Sequence, residues 1–231
     1  CGGAFVGLTD IISKRIGRPV RWRESRSESM MNLGHGRAQL QYVTIGGTKD
    51  GDVTHYQLHG LQDCGGAVGM GAILAPFFTR PMASAVYDIP NIECRCISVS
   101  TNTTPVVAYR GAGRPEATAA AERVMDLFAR EIGMDAVDVR RKNLIPKFDT
   151  PHTTSTGQTY DCGDYEASLD RALEAAGYAE LRAEQQRRRA AGDSKLLGIG
   201  VSVYVEITGG VGTLDEAAKI EIHPDGTGTI Y

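Results

Sequence analysis

The chain has 231 residues, of which 42% are hydrophobic and 23% are charged, proportions typical of a soluble globular protein. Its formal net charge of -3 and the mixing of basic with acidic residues argue against a nucleic-acid partner. No stretch approaches the roughly 20 apolar residues of a membrane span, and the first residues do not resemble a signal peptide, so we expect a cytoplasmic protein.

The start of the chain predicts one short helix and one short strand. Apolar residues recur at helical spacing between Leu8 and Ile16, which predicts an amphipathic helix that begins near Thr9 and ends at Gly17. Residues 20–24 then predict a short strand.

A β-hairpin and a third strand are predicted next. Residues 37–45 and 53–61 are strand-like and are separated by a turn that contains Asp50 and Gly51. An Asp-Gly pair between two such segments is typical of a hairpin. Residues 92–99 return to strand character.

Two apolar segments of the central region predict helices of different quality. In residues 72–86 the prolines Pro76 and Pro81 interrupt the pattern, so we expect any helix there to be broken. Residues 115–132 predict the clearest helix of the chain, with a proline at the first position and Gly133 at the end.

The remaining segments complete an α+β pattern. Asp135 is placed to cap a short helix, and four further segments follow: helices over residues 164–176 and 179–191, and strands over residues 196–207 and 217–223. Hairpins come first, then helices, then strands. This order predicts mixed sheets and hairpins packed against helices, and it disfavours a doubly wound dinucleotide fold.

Metal-binding patterns are weak in this sequence. The five cysteines show no CxxC spacing and are expected to be reduced packing residues: Cys1, Cys64, Cys94, Cys96 and Cys162. His55 and His59 lie in a predicted strand, where a spacing of four does not place two ligands on one face. We therefore predict no metal ligands.

Two glycine-rich segments, residues 2–7 and 110–114, each lead into a predicted helix. The first amides of a helix have no internal partner and lie at the positive end of its dipole, so both segments are candidate anion sites. Arg110 and Arg114 add positive charge. The residues alone leave a second reading open, in which the glycines only form tight turns and Arg110 pairs with a carboxylate.

Residues 108–117, Ala-Tyr-Arg-Gly-Ala-Gly-Arg-Pro-Glu-Ala, resemble the active-site loop of molybdenum hydroxylase large subunits. This is the family of xanthine dehydrogenase, aldehyde oxidase and aerobic carbon monoxide dehydrogenase. Residues 2–5, 18–22, 87–91 and 140–143 resemble further segments of the family in the same order. The resemblance implies the family's molybdopterin-binding fold.

The resemblance also implies a domain division. Residues 1–150 would form the first molybdopterin-binding domain, partial at its N-terminus, and residues 151–231 the start of a truncated second one. The chain begins without Met inside a glycine-rich run and ends at Tyr231, just after a turn, so we expect an excerpt from a longer polypeptide.

Several site residues are implied by the resemblance. The cofactor is expected to be molybdopterin with molybdenum, in its cytosine dinucleotide form, approached by backbone amides. Phe5, Val6, Arg110 and Gly111 correspond to cofactor contacts. A second group corresponds to the substrate side of the site: Ala112, Tyr204 and Glu206. The general base of the family is expected beyond Tyr231, so the isolated chain is expected to be inactive and to hold no cofactor.

The sequence departs from the family pattern at three positions that bear on chemistry. Val6 stands where the family usually has glycine, and a β-branched residue adds bulk where an amide would face the cofactor. Members that oxidise carbon monoxide have cysteine where this chain has Gly111, and members that act on purines have an aromatic residue where it has Ala112. These departures disfavour a copper centre and a flat purine substrate.

The function predicted from the resemblance is hydroxylation of an aldehyde or N-heterocycle. Electrons would leave through an iron-sulfur small subunit and an FAD-binding medium subunit. Two alternatives remain: a non-enzymatic binding or structural module that has lost the cofactor, and a site for a phosphorylated metabolite held by the glycine-rich segments.

Overall fold

The computed structural model describes residues 3–206 and 217–230, with side chains from residue 7 onward. The helices are α1 (Gly3–Ile16), α2 (Arg26–Asn32), α3 (Met70–Thr79), α4 (Arg114–Ile132), α5 (Ala136–Asn143), α6 (Tyr165–Ala176) and α7 (Tyr178–Ala191). The strands are β1 (Gln39–Gly47), β2 (Val53–Asp63), β3 (Asn91–Val99), β4 (His152–Thr153), β5 (Thr159–Tyr160), β6 (Ile220–Ile222) and β7 (Gly228–Ile230). None of the described helices is long and apolar enough to cross a membrane.

The largest sheet has three strands in the order β1-β2-β3. β1 and β2 are antiparallel and pair along their length, which confirms the predicted hairpin. Gly51 in its turn has φ of +94°, a conformation that glycine adopts without strain. β3 runs parallel to β2 at the edge of the sheet.

Helix α4 forms much of the core against this sheet. Ala117, Ala121 and Met125 on its inner face are buried in one cluster with Tyr56 and Leu58 of β2. The helix runs from Arg114 to Ile132, so it begins one residue before the predicted start. Local signals fix both ends, because proline suits the first turn and Gly133 adopts the left-handed conformation, with φ of +72°.

Helix α3 shows that the expected break of the helix at Pro76 does not occur. Proline has no N–H, so the helical bond to the carbonyl oxygen of Ala72 is missing. The hydroxyl of Ser98 on β3 donates to that oxygen at 2.7 Å and replaces the missing bond. The helix therefore continues through Pro76 to Thr79.

Residues 20–24 do not form the predicted strand, since no described strand lies beside them to pair with. The helix that follows, α2, was not predicted. Its signal is nevertheless local: the Ser25 hydroxyl accepts from the N–H of Glu28, and the Glu28 carboxylate accepts from the N–H of Ser25. This reciprocal pair is a capping box.

The C-terminal third confirms the predicted helices and one of the two predicted strands. β6 lies within the predicted segment 217–223 and pairs with β7. Residues 197–206 alternate between more buried and more exposed positions, as a strand would, but they pair with no described strand. Together, the helices and small mixed sheets give the expected α+β architecture.

Candidate functional site

A turn formed by residues 110–113, called the 110–113 turn below, connects the core to the start of α4. Three successive residues have positive φ: Gly111 at +88°, Ala112 at +33° and Gly113 at +103°. Two hydrogen bonds close the turn, from the Ala112 N–H to the Tyr109 carbonyl at 2.7 Å and from the Arg114 N–H to the Gly111 carbonyl at 3.2 Å. Such a run of left-handed residues is what the two glycines make possible.

Close packing also requires glycine in this turn. A Cβ atom on Gly113 would lie 2.0 Å from the carbonyl oxygen of Ala75 in α3. A Cβ atom on Gly111 would lie 2.7 Å from Cδ of Pro115. The turn is therefore held between two helices, in a conformation that larger residues would disturb.

Within the part of the chain that the structure describes, the turn retains two unpaired donors. The Gly113 N–H donates to the buried Glu116 carboxylate at 2.8 Å. Among the described residues, the N–H groups of Arg110 and Gly111 have no acceptor. The side chain of Arg110 is exposed. Free amides and a guanidinium beside a helix start suit an anionic group, so the residues present fit a negatively charged cofactor.

Glu206 lies beside this turn, although it is far from it in the sequence. Its carboxylate pairs with Nε of Arg114 at 3.2 Å, and a Cβ atom on Gly111 would lie 3.2 Å from its other oxygen. The guanidinium of Arg114 also stacks over Phe78, 4.1 Å from the ring centroid. Arg114, rather than Arg110, is thus the arginine that pairs with a carboxylate.

Two adjoining cavities share Arg114 and Glu206 in their walls. One, of about 280 Å³, is also lined by Tyr160 and Cys162. The other, of about 330 Å³, is also lined by Tyr204, which is exposed. Of the three residues predicted for the substrate side, Tyr204 and Glu206 therefore share a cavity, whereas Ala112 is not among the described residues that line either one.

A buried polar network supports the segment that carries Glu206. The N–H of Val203 donates to the Glu122 carboxylate at 3.1 Å, and Arg140 donates to the same carboxylate at 2.8 Å. Burial disfavours the charged form of Arg140, but Glu122 and Asp126 raise its pKa above the ordinary value. Burial raises the pKa of the Tyr87 phenol, and the nearby Glu122 carboxylate raises it further. Arg140 therefore stays charged and Tyr87 stays neutral.

The first glycine-rich segment does not have the predicted form. Helix α1 begins at Gly3 rather than near Thr9, so Phe5, Val6 and Gly7 lie inside a helix. The apolar residues around Gly7 continue the helical period, and one glycine inside a helix costs only about 1 kcal/mol relative to alanine. The side chains of Phe5 and Val6 lie outside the described residues, so their cofactor contacts stay a prediction.

A family model described as a molybdopterin cofactor-binding domain matches residues 5–144, more than half of the chain. The chain belongs to this family. The match spans the 110–113 turn, Glu122 and Arg140, and it identifies the chain as part of a molybdenum hydroxylase large subunit.

Several named enzymes are similar to this protein over most of its length. The carbon monoxide dehydrogenase large chain of Hydrogenophaga pseudoflava is 35% identical, covering 92% of this chain and 28% of its own length. The nicotine 6-hydroxylase large subunit of Paenarthrobacter nicotinovorans is 32% identical, in an alignment that covers 87% of this chain and 25% of the relative's own length. The crystal structure of quinoline 2-oxidoreductase from Pseudomonas putida 86 is similar, with a TM-score of 0.78 and 29% identity. The match covers 96% of this chain and 30% of that one.

The chain thus spans less than a third of the length of these relatives.

Sequence reasoning missed one residue at the turn. Arg37 donates to the carbonyl oxygen of Arg110 and, at 3.0 Å, to the Glu116 carboxylate. No periodicity or motif joins positions more than 70 residues apart. The role of Glu116 did have a local signal, because an acidic residue three positions after the glycine that starts a helix is placed to bind its amide.

Proposed function

We propose that this chain is the molybdopterin-binding part of an oxidoreductase that hydroxylates an aldehyde or an N-heterocycle. The observation that carries the proposal is the 110–113 turn, in which two N–H groups beside the start of α4 have no acceptor among the described residues, in a chain of this family. When bound, the cofactor would supply the redox chemistry of molybdenum. Arg110 and Gly111 would hold its anionic part through their amides.

Further parts of the proposal follow from the resemblance. Phe5 and Val6 would contact the cofactor from α1, and the cofactor would be the cytosine dinucleotide form. An iron-sulfur subunit and an FAD-binding subunit would carry the electrons away, in a cytoplasmic complex. The general base would lie beyond Tyr231. Residues 1–150 and 151–231 would belong to successive cofactor-binding domains.

Three features favour an N-heterocycle or aldehyde over other substrates of the family. The resemblance associates carbon monoxide oxidation with a cysteine at the position of Gly111. A side chain there is disfavoured in this structure by the φ of +88° and by the contact with Pro115. Ala112 offers no ring to stack on a purine. Two similar proteins are named for nicotine and quinoline, both N-heterocycles.

Glu206 and Tyr204 are proposed to face the substrate. The cavity that they share with Arg114 adjoins the 110–113 turn, and its carboxylate-guanidinium pair could orient a polar ring substituent. Because Glu206 is already paired with Arg114, we assign it a binding role and leave proton transfer to the later segment.

The proposal is tested on the complete subunit, purified with its native partners. We expect close to one molybdenum per subunit and release of a cytidine nucleotide when the cofactor is hydrolysed. Turnover is expected with N-heterocycles or aldehydes and not with carbon monoxide. A fully assembled enzyme without molybdenum would contradict the proposal and would favour a non-enzymatic module or a phosphorylated-metabolite site.

A further inference from the structure

Arg37 contacts the 110–113 turn from a distant part of the sequence, 73 residues before Arg110. It lies just before β1 and has a φ of +66°, in the left-handed region that non-glycine residues rarely adopt. A conformation of this kind persists only where the surrounding structure fixes it. The residues around Arg37 must therefore hold it in this conformation.

The residues before Arg37 are fixed against the segment that leads into the turn. The N–H of Val107 donates to the carbonyl oxygen of His35 at 2.9 Å. A Cβ atom on Gly36 would lie 2.8 Å from Cβ of Tyr109, so the two backbones are in close contact. This packing holds Arg37 next to the 110–113 turn.

The guanidinium of Arg37 reaches both ends of the turn. One nitrogen donates to the carbonyl oxygen of Arg110, and another donates to the Glu116 carboxylate at 3.0 Å. The same carboxylate oxygen accepts the N–H of Gly113 at 2.8 Å. The guanidinium also lies over the ring of Tyr109, 5.2 Å from its centroid.

The bond to Arg110 has a consequence for the neighbouring amide. The carbonyl of Arg110 and the N–H of Gly111 belong to one peptide unit, which is planar and trans. Fixing the oxygen therefore fixes the direction of the N–H, which points away from the guanidinium. A charge-assisted hydrogen bond on the oxygen also polarises the N–H, since hydrogen bonds in series strengthen one another.

We propose that Arg37 is a positioning residue that orients and polarises the Gly111 N–H, one of the two donors that the turn offers to the anionic cofactor. This inference rests on the proposed function. It assigns Arg37 a task beyond a salt bridge: the pair with Glu116 stabilises the turn, whereas the bond to Arg110 sets the strength and direction of one donor.

The test uses the assembled holoenzyme that carries this chain. Arg37→Met removes both hydrogen bonds and keeps an unbranched side chain. We expect kcat per bound molybdenum to fall about tenfold while KM changes less than about twofold, because a misdirected donor weakens transition-state stabilisation and not substrate binding. We also expect an altered Mo(V) electron paramagnetic resonance spectrum and a lower reduction potential, because a weaker donor stabilises the more negative reduced centre less.

Two further variants separate positioning from simple stability. Arg37→Lys keeps the charge and can reach one acceptor, so changes in the same direction but smaller are expected. Arg187→Met removes an exposed arginine that pairs with Glu184 on α7, and it should leave kcat, KM, the spectrum and the potential unchanged. If the Arg37→Met holoenzyme does not assemble, the same measurements on the Arg37→Lys holoenzyme test the proposal.

The outcomes distinguish this inference from the proposed function. Arg37 variants with a lower melting temperature but an unchanged spectrum, potential and kcat per molybdenum would overturn the inference alone and leave Arg37 a structural residue. A wild-type holoenzyme without molybdenum would overturn both proposals.

Discussion

The carboxylate of Glu122, in the middle of α4, accepts a hydrogen bond from the backbone N–H of Val203 at 3.1 Å. The same carboxylate is paired with Arg140, whose side chain is fully buried. Val203 lies three residues before Glu206, which pairs with Arg114 beside the 110–113 turn. A buried ion pair in the core thus supports the segment that reaches the candidate site.

Arg140→Met should be strongly destabilising. The variant leaves the Glu122 carboxylate buried without its cation, and removing one partner of a buried pair costs about 3–5 kcal/mol. The free energy of unfolding, measured by urea titration, should fall by that amount. Arg187→Met, which removes an exposed ion pair, is the matched control and should cost no more than about 1 kcal/mol. Equal losses in the two variants would contradict the role given to the buried pair.

Ser98→Ala should destabilise the protein only while Pro76 is present. The serine hydroxyl binds the Ala72 carbonyl that proline leaves without its helical donor, and such a hydrogen bond is worth about 1 kcal/mol. In a Pro76→Ala background, the new backbone N–H can bind the same oxygen, so Ser98→Ala should cost close to nothing. Unfolding free energies of the four proteins form the test. A cost that is the same in both backgrounds would show that the two donors do not replace one another.

Ser98 and Pro76 also illustrate what cannot be predicted from sequence alone. The limits of α4 were predicted to within one residue, because its glycine, proline and acidic signals act inside one turn of helix. The passage of α3 through Pro76 was not predicted, since the compensating hydroxyl of Ser98 comes from β3. Arg37 was missed for a similar reason. The strand predicted for residues 196–207 has the expected alternation, but a strand assignment also requires a partner, which a periodic pattern does not provide.

Gly113→Ala should cost more than Gly133→Ala, although both glycines have positive φ. At Gly133 a Cβ atom would meet nothing within 4 Å, so only the left-handed backbone is penalised, at about 1–2 kcal/mol. At Gly113 the added Cβ would lie 2.0 Å from the Ala75 carbonyl oxygen, so the turn must also move away from α3. Urea unfolding measures both costs. A smaller loss for Gly113→Ala would mean that the contact between the turn and α3 is looser than the structure shows.

Arg110→Ala should impair the complete enzyme without destabilising its fold. The Arg110 side chain is exposed, and among the described residues it has no ion-pair or hydrogen-bond partner, so its removal breaks no described contact. Arg114 differs, because it pairs with Glu206 and stacks on Phe78. If Arg110 instead contacts the anionic cofactor, its loss removes a charge-assisted interaction worth about 1.5–3 kcal/mol. That corresponds to a fall of about tenfold to a hundredfold in cofactor affinity or turnover.

The decisive comparison is between Arg110→Ala and Arg188→Ala. Arg188 pairs with Glu184 on α7, and a half-exposed pair of this kind near the surface contributes about 1 kcal/mol or less. Molybdenum content per subunit and the turnover rate should fall in the first variant and stay near wild type in the second, with thermal melting unchanged in both. Equal, small effects on molybdenum and turnover would mean that the side chain of Arg110 does not take part in binding the cofactor. The 110–113 turn would then act through its backbone amides alone. Arg37, which binds the Arg110 carbonyl, would then affect cofactor binding more than the side chain of Arg110 does.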